Sequence, residues 1–226
     1  YSSAASDVYK RQGVLLAYEF MDHIGAAPDT IPENIKITVI PSLNPDAVFK
    51  VTSKEGRFVT TDVSKNENLL ASARFNANNV DLNRNFECDW QATGKWQSRN
   101  VSGGTAAFSE PESQAIRDYV EASDPAAVVV WYSSAGGVFA SSCHNGILAE
   151  TRELTKIFAQ ASGYKAYEEF NFYEITGDMV NWLAKEGVPA ISILLTDHKN
   201  TEWSKNRAGI EAVLKHFADK TTVTET

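Results

Sequence analysis

Apolar positions along the chain alternate between a helical and a strand-like period. From Gly13, the residues Val14, Leu15, Tyr18, Phe20 and Met21 recur as on a buried helix, which Gly25 and the following Pro28 should close. Residues 35–40 (IKITVI) alternate apolar and polar up to Pro41, which predicts a strand. Residues 42–100 are polar, rich in Asn and without a sustained period. So long an irregular stretch inside a domain points to function. Ser109-Glu110-Pro111-Glu112 then reads as a capping box, with Ser109 as cap and Ala115, Ile116, Tyr119 and Val120 forming one apolar face. Residues 126–131 (AAVVVW) and 190–195 (AISILL) are continuous apolar runs, as in strands covered on both faces. Helices are expected over 149–162 and 177–187, and Trp203, Ile210, Val213, Leu214 and Phe217 mark a closing amphipathic helix. This order predicts one α/β domain on a mixed, largely parallel central sheet between helices.

Composition narrows the function. With 226 residues the chain can bury one good core, and a net charge of −8 disfavours nucleic acid and anionic membranes as partners. No apolar run approaches the roughly 18–20 residues of a membrane span. The two cysteines, Cys88 and Cys143, exclude a four-cysteine zinc site. They are either buried thiols or a single bridge, and a bridge would imply an oxidising compartment. Residues 1–12 (YSSAASDVYKRQ) lack the basic start and apolar centre of a secretory signal and read as a foreign or disordered tail. The expected domain covers residues 13–219, followed by a frayed tail over 220–226.

The most informative segment is Val80-Asp81-Leu82-Asn83-Arg84-Asn85-Phe86. An Asn-Arg pair offers an amide donor beside a guanidinium fork, which suits a carboxylate; in isolation it reads rather as an Asx-turn with a surface Arg. It is accompanied by Asn44-Pro45-Asp46, by SEPE from Ser109, by Phe172-Tyr173 ahead of Gly177 and Trp182, and by Gly187-Val188-Pro189-Ala190. In this order the segments resemble the zinc metallocarboxypeptidases of the carboxypeptidase A type, including their bacterial branch. The resemblance implies an eight-stranded mixed sheet between helices, with the site at the strand ends. It also implies that Asn83 and Arg84 bind a substrate's terminal carboxylate and that Arg74 polarises the scissile carbonyl. Tyr173 would be the tyrosine that closes over the substrate, although the residue alone also fits a rim aromatic. Val180 would line the side-chain pocket and favour neutral or apolar terminal residues.

The same resemblance exposes what is missing. The family's chemistry uses zinc to polarise a carbonyl and acidify water, and a glutamate to take the proton. Its His-x-x-Glu ligand pair should precede Gly13, where the foreign-looking tail stands, so upstream strands are expected to be missing too. Glu19 and His23 share a helix face but in the opposite order, as a solvent-facing pair would. The third ligand position carries Tyr132 and the base position carries Leu194. A neutral phenol is a poor zinc ligand beside imidazole. His144, His198, Asp197 and Glu202 are the remaining candidates for a rearranged site.

The expected function is therefore a carboxypeptidase-family domain that binds peptides with a free C-terminal carboxylate, such as cell-wall peptides, with no turnover and no bound zinc. Alternatives are an active zinc-dependent carboxypeptidase, in an intact parent or through a rearranged site, and a purely structural domain. A secreted or cell-envelope location follows from the resemblance alone.

Overall fold

The computed structural model describes residues 2–4 and 11–224 of the chain. The described residues form eight strands and seven α-helices. The central sheet holds β1 (Ser2–Ala4), β2 (Val39–Ile40), β5 (Val128–Ser133), β6 (Gly137–Ala140), β7 (Ala166–Tyr167) and β8 (Ala190–Leu195), in the order β2-β1-β5-β8-β6-β7. All neighbours run parallel except β6 and β8, so the sheet is mixed and largely parallel. Strands β3 (Thr93–Trp96) and β4 (Arg99–Ser102) form a separate antiparallel hairpin. The central sheet thus has six strands among the described residues, against the eight that the resemblance implied.

Side-chain alternation on β5 and β8 sorts the core into two layers. Val129, Trp131, Ile191, Ile193 and Leu195 face a cluster with α1 (Gln12–Ala26), α5 (Ala149–Ser162) and α7 (Trp203–Thr224). Val128, Val130 and Ala190 face the other way, toward α4 (Pro111–Ser123) and α6 (Met179–Lys185). Tyr132 packs against this second layer, and it lies at the C-terminal end of its strand. In open sheets with parallel strands, that edge is where ligands bind.

Several elements differ from the sequence expectation for local reasons. Only Val39 and Ile40 of the 35–40 run are strand, because their partner β1 is three residues long and pairs with them at Ser2 and Ser3. Those β1 residues, with Arg11 and Gln12 at the start of α1, belong to the segment read as a tail; its other residues, Tyr1 and 5–10, lie outside the described residues. Residues 42–100 contain α2 (Pro45–Thr52) and α3 (Glu67–Ser72), started by asparagine caps rather than by an apolar period. Asn44 Oδ1 accepts from Ala47 N at 3.0 Å with Pro45 in the first turn, and Asn66 Oδ1 accepts from Leu69 N at 3.2 Å. Ser109 does not cap α4. Its hydroxyl donates to Glu110 Oε1, and Glu110 N donates instead to the distant Asn85 Oδ1 at 3.1 Å. A tertiary contact has displaced the local box. The hairpin and the short strands β6 and β7 carry no period long enough to read.

Candidate functional site

A buried acid organises one wall of a cleft. Asp81, fully enclosed, accepts from Arg74 Nε at 2.8 Å and Nη2 at 2.5 Å through one oxygen, and from Asn83 N at 3.2 Å through the other. The second bond starts a single helical turn over Leu82–Arg84 and fixes the backbone of Asn83. Asn76 closes the loop ahead of it. Its Oδ1 accepts from Asn78 N and Val80 N, while its Nδ2 donates to Glu110 Oε2 at 2.7 Å. Burial raises the Glu110 pKa, but hydrogen bonds from Asn76, Asn78 and Ser109 outweigh it, leaving the carboxyl below its usual range. The Arg74 guanidinium lies 4.4 Å from the ring centre of Trp96, at the end of β3.

Arg84 corrects an expectation. Its side chain is 1% exposed and does not line the cleft. Nε and Nη2 donate to Lys95 O at 2.9 and 2.7 Å, and Nη1 donates to Asn83 O at 2.5 Å. The hairpin lies so close that a Cβ on Gly94 would stand 2.9 Å from Arg84 Cδ. Gly177, at φ +65°, packs its α-carbon over the Arg84 carbonyl, where a Cβ would come within 2.5 Å. The arginine thus ties its own loop to the hairpin instead of presenting its fork to a ligand. The sequence motif identifies the residue but cannot show which way its side chain turns.

The cleft encloses about 820 Å³ and brings together Arg74, Asn83, Tyr132, Tyr173, Val180 and Leu194. Tyr132 and Leu194 form its floor, opposite each other across β5 and β8. The Tyr132 hydroxyl donates to Asn83 Oδ1 at 3.1 Å. Burial raises its pKa far above the usual phenol value, with Asp178 adding to the effect and Arg84 opposing it. Tyr173 sits half-buried in an aromatic group, its ring 5.0 Å from Phe170, which in turn packs 5.6 Å from Phe139 on β6.

Sequence reasoning missed Asp178, Phe139 and Trp96, which also line the cleft. Asp178 caps α6, accepting from Asn181 Nδ2 at 2.8 Å, and burial raises its pKa although Arg84 opposes the shift. Its place before an apolar run is a cap signal that could have been read. Phe139 and Trp96 lie in short strands and carry no such signal.

The sequence matches the zinc carboxypeptidase family over residues 11–217. The chain belongs to that family. No curated protein sequence matches it. Among solved structures it is similar to the murein-tripeptide amidase MpaA from Escherichia coli O157, at 18% identity and a TM-score of 0.62, covering 96% of this chain and 79% of the amidase. The carboxypeptidase A from Helicoverpa armigera gives 18% identity and a TM-score of 0.62, with 97% of this chain covered but only 59% of the insect enzyme. Bovine thrombin-activatable fibrinolysis inhibitor, solved with a tick carboxypeptidase inhibitor, gives 14% identity and a TM-score of 0.66, covering 99% and 81%. At these identities the likeness establishes the fold.

Zinc carboxypeptidases are zinc-dependent, and the strand ends of this chain do not fit the ion. The two strand ends offer the phenol of Tyr132, engaged with Asn83, and the hydrocarbon of Leu194, which can neither ligate nor accept a proton, and the carboxylates that line the cleft, Glu169, Glu174 and Asp178, do not converge on one point. Among the described residues, the group of potential ligands that converges is Cys88, Asp89 and Cys143, whose two sulfurs form a disulfide. The bridge also decides between the two readings of the cysteines. Residues 1–12, where the His-x-x-Glu pair was expected, contain neither His nor Glu. None of the candidates for a rearranged site lines the cleft, although His198 Nε2 lies 3.2 Å from the hydroxyl of Ser134, which does. His144 pairs with Asp89 at 3.0 Å, Asp197 caps the turn at Lys199 and Asn200, and Glu202 accepts from Tyr164 and from the Thr196 backbone. Glu19 and His23 are engaged with Thr201 and Glu211.

Proposed function

We propose that this domain binds peptides through their free C-terminal carboxylate and does not cleave them. The observation that carries the reading is the pairing of Arg74 and Asn83 on the cleft wall with Tyr132 and Leu194 on its floor. The wall supplies the Asn83 amide as the donor for a carboxylate, with the positive charge of Arg74, whose Nε and Nη2 are held by Asp81, behind it. The floor supplies no group to hold zinc or to take a proton from water. Arg84, engaged with backbone carbonyls, serves as the brace behind Asn83 in this reading. Val180, Leu194 and Phe139 favour a neutral or apolar terminal residue, over which Tyr173 would close.

A cell-wall peptide is a fitting ligand, since a murein-tripeptide amidase is among the structures of this shape. A secreted or envelope location is part of the same proposal, supported by the Cys88–Cys143 bridge. The net charge of −8 argues against nucleic acid as a partner.

Calorimetric titration with matched peptides, one set ending in a free carboxylate and the other amidated, tests the reading. Tighter binding of the free acids, with no hydrolysis in added zinc, is expected. Equal affinity for both sets would defeat the binding half of the proposal. Zinc-dependent release of terminal residues would defeat the other half.

A further inference from the structure

We propose that Tyr132 is a positioning residue for ligand recognition: its hydroxyl fixes the Asn83 amide so that Nδ2, the donor, faces the cleft. The inference rests on the carboxylate-binding reading above and deepens it. An asparagine amide has two faces of opposite chemistry, an acceptor oxygen and an NH2 donor. Only the donor attracts a carboxylate; the flipped amide would present an oxygen to it and repel it.

Three observations assign the orientation. The Tyr132 hydroxyl lies 3.1 Å from Asn83 Oδ1, and among the described residues that is its hydrogen bond. A phenol packed between cleft and core needs an acceptor for its proton, and the amide oxygen supplies it. The Asn83 backbone is separately held, by Asp81 Oδ1 on its N–H and by Arg84 Nη1 on its carbonyl. The side chain still has two torsions, and the hydrogen bond from Tyr132 to Oδ1 restrains both. With Oδ1 held by Tyr132, Nδ2 is the amide atom left to the cleft, which half-buried Asn83 lines together with Arg74. The residue standing where a metal ligand was expected thus acts on the ligand's charge through its neighbour.

The test is a double-mutant cycle read by calorimetry on free-acid and amidated peptides. Tyr132→Phe keeps the ring and removes the hydroxyl. It should weaken free-acid binding by roughly five- to tenfold, leave amidated-peptide affinity unchanged, and so shrink the discrimination. Asn83→Asp keeps the acceptor for Tyr132 but replaces the donor, and it should abolish the preference for free acids. In the Asn83→Asp background, Tyr132→Phe should add nothing, because its route to the ligand is gone. A purely structural role would lower both peptide affinities together, or neither. Additive effects in the cycle would overturn the inference even if one single variant folds poorly. A wild type that does not distinguish acid from amide would overturn the carboxylate reading itself and this inference with it. Discrimination that survives Tyr132→Phe intact would overturn only the inference.

Discussion

The wall and the floor of the cleft are built by opposite means. The wall is polar throughout, and its shape comes from side-chain hydrogen bonds onto a buried acid, Asp81, and a buried amide, Asn76. The floor comes from two strand ends whose register is set by backbone pairing and by apolar packing beneath. A strand end will carry almost any side chain, so Tyr132 and Leu194 can stand there without disturbing the sheet. A wall residue cannot change so freely, because several hydrogen bonds interlock there, whereas the floor contributes the single bond from Tyr132 to Asn83. The difference teaches that the two regions tolerate change differently: the groups that shape the wall are bound to one another, and those at the strand ends are bound to less.

The sharpest way to break this comparison is to weaken one region at a time. Asp81→Ala leaves the Arg74 guanidinium buried without its carboxylate and frees the Asn83 amide. Breaking such a pair costs about 3–5 kcal/mol. Leu194→Ala on the half-exposed floor should cost only about 1–2 kcal/mol, below the range for a fully buried leucine. Urea denaturation of both variants measures the gap. Similar losses would show that the floor is as much a part of the stability as the wall.

This asymmetry also governs how much could be read from the sequence. Strand β8 (Ala190–Leu195) and helix α5 (Ala149–Ser162) appear where apolar periodicity puts them, since their faces are set by burial alone. Six of the seven residues singled out for the site meet in one cleft, because a motif order reports which loop a residue is on. Arg84 fails that test: its direction depends on Gly94 and on the Lys95 carbonyl of a hairpin with no readable period. Asn85 likewise replaces the local capping of α4 by a contact from 25 residues away. Where backbone groups are satisfied by distant side chains, local pattern has nothing to report.

A second, smaller perturbation probes how the wall is fastened to the rest of the molecule. The Cys88–Cys143 bridge spans 55 residues, from just past the Asn-Arg segment to the turn after β6. Gly177 N donates to the Cys88 carbonyl at 2.7 Å, so the bridge also steadies the approach to Asp178 and Val180. Closing a loop of this length stabilises by roughly 2–4 kcal/mol. Denaturation midpoints with and without reductant should differ accordingly, and free-acid peptide binding should weaken in the reduced protein. Unchanged binding on reduction would mean that Arg84 and Asp81 hold the wall unaided.

The smallest effect expected is on acid stability, and it isolates the loop that carries Asn76. Hydrogen bonds from Asn76, Asn78 and Ser109 favour the charged form of Glu110 and outweigh the burial that disfavours it, so its folded pKa lies below the unfolded one. Linkage then fixes the sign. The carboxylate contributes stability above its unfolded pKa, and that contribution is lost as pH falls through the lower folded value. Glu110→Gln should therefore lower the melting temperature near neutral pH and flatten its decline on acidification. Its neighbour Glu112 shifts the opposite way, chiefly through burial with Asp46 and Glu110 adding repulsion, and gains stability on protonation. Glu112→Gln should thus raise the melting temperature at neutral pH, where the wild type holds two carboxylates around one amide donor. If both variants change acid stability in the same direction, the wall loop is held by its backbone turns, and the contrast with the floor narrows to Asp81 alone.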